Sequence, residues 1–578
     1  MMCAGHRVVP ASCTVHVPGP LNRGRGTRTR RSTPVQLRLQ EKLTIAAGRG
    51  SRFNAHARDL PPYRPDRPRR GGTRRRNGRD STSRHRSTPK ETAAAGPDNP
   101  TRAENRLPGT GNWRIGAGDT VAADDLGKQV CGYTSATSVN LGEGLDFHVS
   151  TSPPRSFTVD VYRLGWYGGA GARQMVTSRR LAGVQQPEPV TDPKTGMISC
   201  NWSTSWTLNV PRSWTSGSYL AAFTTEDGHR SLVPFVVRDD ARHSNFLVVL
   251  PFTTYQAYNQ WPLDGKVGKS LYYGYGDDNG SDVGAEGGST RVDVHGFPVS
   301  YGTRARTVSF ARPFSNVGLP QRADLDYEFL QWAERNGYDL SYATSVDLHA
   351  GRVDTSKYSA LVFSGHDEYW SQQMRDTVQA AVDRGTHAAY IAANNVYWHV
   401  RFEPDPQGGD AQVMVCWKSD PDPAPDSSGP TCLWREVDSN GAKSEQSLVG
   451  VQYNGIPKEE VPLVVSEPDH WFWAGTGVQE NETIPGIVGG EADGYYPGSP
   501  KPESTNHALL SASHYMALGG SDWPRVQHTS LYETTTGAVV FAAATFNWSF
   551  GLNRPGYQDP RIERATSNLF NRLRQRPA

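Results

Sequence analysis

Two short apolar runs, each breaking abruptly into a polar and aromatic cluster, constrain this chain more than any other feature. Ala360-Leu-Val-Phe363 opens into Ser364-Gly365-His366-Asp367-Glu368-Tyr369-Trp370, and Ala388–Ala393 into Asn394-Asn395-Val396-Tyr397-Trp398-His399. Between them Met374, Val378, Ala381 and Val382 recur at helical spacing, and Gly385 stands where that helix would stop. Strand, loop, helix, strand is the βαβ unit of an open parallel sheet. Such sheets bind ligands just beyond the carboxyl ends of their strands, which is where both clusters fall.

At 578 residues the chain exceeds one ordinary core, so two or three domains are expected. The formal charge of +3 conceals an asymmetry: residues 1–104 carry 23 Lys and Arg against 7 Asp and Glu, a net of +16, which leaves −13 for the remainder. Rich in Arg, Pro, Gly, Ser and Thr, that first segment cannot bury enough apolar surface to offset its ordering entropy. It reads as a disordered basic leader or as translated sequence upstream of the true start. An acidic body without recurring basic-aromatic motifs is not a nucleic-acid reader. No apolar run reaches the roughly 18 residues of a membrane span, and the first residues lack the apolar core of a signal peptide. None of the six cysteines forms a CxxC pair, which argues against zinc and thioredoxin chemistry. Cys131, Cys200, Cys416 and Cys432 could form two disulfides, most simply Cys131–Cys200 and Cys416–Cys432, or remain as thiols. The expected location is extracellular or in the cell envelope, provided the true start lies downstream.

Taken in order, residues 105–240 read as a β-sandwich domain of the immunoglobulin-like kind. Leu145–Thr151, Ser156–Leu164, Trp206–Val210, Ser218–Thr224 and Ser231–Val237 are short strands separated by Gly, Pro and Ser turns. Tyr162-Arg-Leu-Gly165-Trp-Tyr167-Gly-Gly169 is read as an edge strand and turn packed on the next domain, with a sugar-binding platform as the functional alternative. Residues 245–578 form an α/β domain. Asn245–Leu250 is a buried strand leading to Tyr255, Tyr258 and Asn259, and the Gly/Asp-rich stretch around 274–280 is a surface loop lacking EF-hand spacing. Asp324–Asn336 is a helix, Asp339–Ala343 a strand, and Ser447–Tyr453 and Val461–Ser466 further strands. Ala538–Ala543 is the last buried strand, followed by Asn547 and a closing helix carrying Ile562, Ala565, Leu569 and Leu573 on one face.

The strand-end clusters thus supply Tyr, His, Glu and Asn but no Ser or Cys nucleophile. That set suits general acid–base chemistry or metal-assisted hydrolysis. Carboxylate and phenolate oxygens favour Fe(III) or another hard cation. No GxSxG elbow, GxGxxG or P-loop follows a strand. Alternatively, His366-Asp-Glu368 caps the following helix, and the aromatics are rim packing.

Four motifs in this order, Tyr162–Gly169, Thr254-Tyr-Gln-Ala-Tyr258-Asn259, Ser364–Trp370 and Asn394–Trp398, resemble the N,N-dimethylformamidase large (beta) subunit family over roughly Asn105 to the end. The resemblance implies a second domain of the class I glutamine amidotransferase-like α/β type, open and mostly parallel, without that fold's Cys nucleophile. It also implies a mononuclear iron held by two tyrosines and a glutamate, with a His and an Asn assisting. Carried onto this chain, the glutamate is Glu368 and the His is His366. The Asn is Asn394, and the tyrosines are Tyr258 and, from Val299-Ser-Tyr301-Gly, Tyr301. The implied activity is metal-dependent hydrolysis of amide or other C–N bonds, on a small amide or carbohydrate-derived substrate. The competing expectation is a catalytically silent, exported carbohydrate-binding protein. Nothing in the sequence specifies an oligomeric state.

Overall fold

The computed structural model describes residues 99–578 except 266–269, 273, 275–290, 293–297, 300–303, 406–411, 419–420, 519–522 and 578. The basic segment through residue 98, residues 275–280 of the Gly/Asp-rich loop and Tyr301 lie outside the described residues. The chain is β-rich, built from several sheets with few helices.

Phe246-Leu-Val-Val-Leu250 lacks polar alternation because both faces of its strand are covered. Strand Ser244–Leu250 pairs in parallel with Leu340–Thr344 on one side and Tyr358–Phe363 on the other. The sheet continues in parallel through His387–Tyr390 and Val539–Ala542, then antiparallel through Ser530–Glu533 and Asn506–Leu509. Helices Ala323–Arg335 and Pro560–Leu573 cover one face with Phe329, Trp332, Ile562, Leu569 and Phe570. Helix Gln372–Asp383 covers the other with Met374, Val378, Ala381 and Val382, the positions its periodicity singled out. Ser371 caps that helix by accepting from the Met374 N–H.

Upstream, strands Phe157–Leu164, Gly217–Thr225 and His229–Arg238 form the middle of a six-stranded sheet. A three-stranded sheet of Cys131–Thr134, Gly144–Ser150 and Trp206–Asn209 faces it, Phe147 meeting Phe223 and Phe235 edge-on across the shared core. Cys131, Cys200, Cys416 and Cys432 are free thiols. Among the described residues no helix is long and apolar enough to cross a membrane.

Several expectations need correction. Phe157–Leu164 is not an edge strand: Gly217–Thr225 pairs on one side and Ala172–Thr177 on the other, which buries Tyr162. Ser447–Tyr453 begins as the helix Gln446–Val449, which Gly450 ends at φ 91°, and only Gln452–Gly455 is strand. The body also starts before residue 105. Helix Pro100–Glu104, capped by the Asn99 side chain, buries Thr101 and Glu104, and the Thr101 hydroxyl donates to the Leu340 carbonyl at 3.2 Å.

The upstream sheets and the central sheet meet at a buried ion pair. Arg163 donates two parallel hydrogen bonds to Glu334, Nη2 to Oε1 at 2.8 Å and Nη1 to Oε2 at 2.9 Å, with neither side chain exposed. Tyr342 Oη donates to Oε1 at 2.7 Å and Asn105 Nδ2 to Oε2 at 2.6 Å, so each carboxylate oxygen is doubly satisfied. The approach is so close that a Cβ on Gly165 would sit 2.3 Å from Glu334 Oε2. Charges this deep are tolerated only when fully paired. Glu334→Ala is therefore expected to cost about 3–5 kcal/mol of unfolding free energy in urea titration, because it strands the Arg163 guanidinium. Replacing both partners by Leu and Met should cost less than that single change.

Candidate active site

Past Leu250 the chain turns directly into helix Phe252–Tyr258, the Tyr255 N–H donating to the Pro251 carbonyl at 2.9 Å. That helix places Thr254 against the loop after Tyr358–Phe363: its Oγ1 accepts from the N–H of Glu368 at 2.9 Å and of Tyr369 at 3.4 Å. One helical turn on, Tyr258 Oη donates to Glu368 Oε2 at 2.8 Å. The loop after His387–Tyr390 closes from the other side. The Glu368 carbonyl accepts from the N–H groups of Tyr397 and Trp398, and the Asp367 carbonyl from that of Val396, each at 2.9 Å. Three strand ends are thereby locked together, by the Thr254 hydroxyl on one side and by backbone groups on the other.

His366 Nε2 lies 3.5 Å from Glu368 Oε2 and 3.6 Å from Glu491 Oε2, between the two carboxylates. Asn394 Nδ2 donates to Glu491 Oε2 at 2.7 Å, and the Asn394 N–H donates to Asp493 Oδ1 at 2.8 Å. Burial governs the charges. It pushes His366 well below the usual imidazole range, helped by Arg322 and Lys418, so the ring is neutral near pH 7. Burial raises Glu368 against the opposing pull of Lys418 and the Tyr258 hydroxyl. Burial, then the charge on Glu368, pushes Glu491 up to about 8. Burial likewise raises Tyr258 well above the phenol range, with Glu368 adding to it.

The half-buried ammonium of Lys418 lies 4.5–4.8 Å from the ring centres of Trp398, Tyr369 and Tyr272 and donates to Tyr369 Oη. Burial lowers it to about 8. Tyr272 in turn stacks on Tyr258 with centroids 4.7 Å apart. Among the described residues no group of three or more His, Cys, Asp or Glu stands ready to hold a metal. The donor set here is of another kind: a half-buried phenol oxygen and a carboxylate oxygen 2.8 Å apart. His366 Nε2 and Asn394 Oδ1 lie beside them, buried without a hydrogen-bond partner among the described residues. Hard oxygen donors in this arrangement fit a hard cation.

The structure thus brings His366, Glu368, Tyr258 and Asn394 together. The other strand-end polar residues do different work. Asn547 Nδ2 donates to the Gly486 carbonyl, Asn259 braces Pro313 and Ser315, and Asn395 Oδ1 accepts from the Asp367 N–H. Tyr255 Oη donates to Asp326 Oδ2 at 2.5 Å, and Ser364 donates to the other oxygen of that carboxyl. Asp326, on helix Ala323–Arg335, therefore ties the helix bearing Tyr258 to the loop bearing His366. Sequence reasoning missed Glu491, Lys418, Asp326 and Asp493. Glu491 follows a Gly-Gly turn after strand Thr483–Val488, and nothing in its spacing points to residues a hundred positions upstream.

The sequence profile described as "N,N-dimethylformamidase beta subunit-like, C-terminal" matches residues 158–560. The chain belongs to that family. It is 23% identical over 424 residues to the N,N-dimethylformamidase beta subunit of Alcaligenes sp. and 23% over 423 residues to that of Paracoccus aminophilus. Each alignment covers 66% of this chain and 55% of the relative, so the chain spans about half the length of the curated relatives it matches. Among known structures, a cellulose-active LPMO in complex with copper matches 18% of this chain and 51% of its own at 19% identity. Its TM-score of 0.12 carries no argument.

Two outcomes follow from the Asp326 clamp. A Cβ on Gly365 would lie 2.2 Å from Asp326 Oδ2. Gly365→Ala should therefore lower the melting temperature and displace the loop, visible as changed His366 ring resonances in NMR. Burial also pushes Asp326 up to about 7. A carboxyl whose folded value is raised stabilises fully below its unfolded value, near 4, and that stability is lost as pH rises through the folded one. Thermal unfolding of Asp326→Asn should accordingly show a shallower loss of stability between about pH 4 and 7 than the parent chain.

Proposed function

Given that membership, we propose that this protein hydrolyses amide or related C–N bonds at the cluster of Tyr258, His366, Glu368, Asn394 and Glu491. The observation that carries the reading is His366, neutral and held 3.5 and 3.6 Å from two buried carboxylate oxygens, one of which also receives the Tyr258 phenol. In the proposed reaction water adds to the carbonyl carbon, the C–N bond breaks, and the products are a carboxylic acid and an amine. In the tautomer that leaves Nε2 unprotonated, His366 takes the proton of the attacking water. Glu491 holds its proton near neutral pH and delivers it to the departing nitrogen. Asn394 and the Lys418 ammonium fix the surrounding charge, as a preorganised polar site requires.

Glu368 and Tyr258, with Tyr301 as the third ligand of the resemblance, would hold a single iron ion. When bound, such a metal supplies Lewis acidity toward a carbonyl oxygen and acidifies water. The wider architecture in this proposal is an immunoglobulin-like sandwich over 105–240 and an amidotransferase-like α/β domain over 245–578. The open sheet with five parallel strands supports the second assignment. The carbohydrate-binding alternative draws no support from Tyr162 and Tyr167, which are buried.

Metal analysis by mass spectrometry of the purified chain tests the ligand set: stoichiometric iron in the parent protein, lost in Glu368→Ala and reduced in Tyr258→Phe. A parent chain that takes up no metal after reconstitution would refute it. Amine release from a panel of amides tests the reaction. Glu491→Gln should lower kcat by about 10²–10⁴-fold. The parent rate should fall as pH rises through the Glu491 ionisation, because the general acid is then lost.

A further inference from the structure

Arg322 stands just before helix Ala323–Arg335 in the left-handed region, φ +67°, and its side chain does not cap that helix. Half-buried, its guanidinium enters no ion pair or hydrogen bond among the described residues. The acids of the adjoining turn are engaged elsewhere: Asp324 Oδ2 accepts from Arg554 Nη2 at 2.7 Å, and Asp326 accepts from Tyr255 and Ser364. Arg322 lies instead over Phe546, its Cζ 5.4 Å from the ring centre. Phe546 lines the candidate site. Its ring centre is 4.7 Å from that of His366, and its N–H donates to the Glu491 carbonyl at 3.3 Å. A Cβ on Gly490 would lie 2.5 Å from its Cδ2, so the ring is packed tightly against the turn that carries Glu491. The charge on Arg322 accordingly bears on both His366 and Glu491.

A guanidinium without a counter-ion, beside a neutral imidazole and an acid that holds its proton near neutral pH, is suited to an anion. Its planar fork of N–H donors matches the two oxygens of a carboxylate, whereas a neutral amide offers a single carbonyl oxygen and no charge. Amide hydrolysis turns a neutral substrate into an acid, so an anion arises where none entered. We propose that Arg322 binds the carboxylate product one aromatic ring away from His366, which makes the reaction subject to inhibition by small monocarboxylates. The inference rests on the hydrolase reading above and deepens it by naming a ligand that regulates the same site. It places no demand on the substituents of the amide nitrogen.

The test titrates the full chain with formate and with acetate, at constant ionic strength. Binding is read by saturation-transfer NMR, and inhibition by amine release from the amide panel. Arg322→Gln should weaken both carboxylates at least about tenfold, in binding and in inhibition alike. Arg322→Lys keeps the charge but loses the fork, and should fall between that variant and the parent. Should Arg322→Gln fail to fold, Arg322→Lys and the parent's preference for acetate over chloride decide the matter. Acetate that does not bind the parent, that binds parent and variants equally, or that chloride displaces at equal concentration overturns the proposal and leaves the hydrolase reading intact. Acetate bound by the parent and weakened in the variants, with no amide turned over, supports the carboxylate site and counts against the hydrolase reading.

Discussion

An ionised carboxylate cannot stand alone in an apolar interior, and the architecture of this protein is arranged around one that does not have to. Glu334, at the C-terminal end of helix Ala323–Arg335, meets Arg163 of the upstream sheet in a fork-to-fork pair with no exposure to solvent. The other end of the same helix carries Asp326, whose carboxyl receives Ser364 and Tyr255. One rigid element is thus anchored to the upstream sheets at one end and to the loop bearing His366 and Glu368 at the other. Helix geometry puts the two anchors about 12 Å apart, at 1.5 Å per residue. A second seam, Arg238 and Ser138 on Asp347, repeats the device where Thr344 caps the next short helix.

The electrostatics of the candidate site follow from depth. Two glutamates, one lysine and one histidine share a space from which water is largely excluded, so each ionisation depends on its neighbours. The lysine is held by the faces of three rings rather than by a carboxylate, which leaves Glu368 free to face Tyr258. The histidine, with cations nearby and burial against it, has no reason to charge. The imidazole between the two acids is neutral because burial, and after it the charges of Arg322 and Lys418, oppose its protonation.

Periodicity made the central sheet and its covering helices legible in the residues, because apolar runs buried on both faces and helical stripes leave strong patterns. Ala388–Ala393 and the Met374–Val382 stripe are examples, and Glu368, His366, Tyr258 and Asn394 were legible as strand-end residues of that sheet. Other features left no local pattern. Glu491 reaches the site from the Gly-Gly turn after Thr483–Val488, Asp493 from the short strand Ala492–Gly494, and Lys418 from beyond the end of Val413–Val415. The rank of Phe157–Leu164 within its sheet depends on pairing partners, and strand order is a property of long-range register rather than of composition.

The turn that presents Asn394 is strained at two positions, since Val396 also has positive φ, 58°, where a β-branched residue is least at ease. Glycine at 394 would relax the backbone and, on that ground alone, make the fold more robust. It would also delete the carboxamide that faces Glu491. On the proposed hydrolase reading, screens for thermostability and for activity would therefore rank the same substitution in opposite order, and a library selected for heat resistance would drift towards well-folded, silent chains at this one codon.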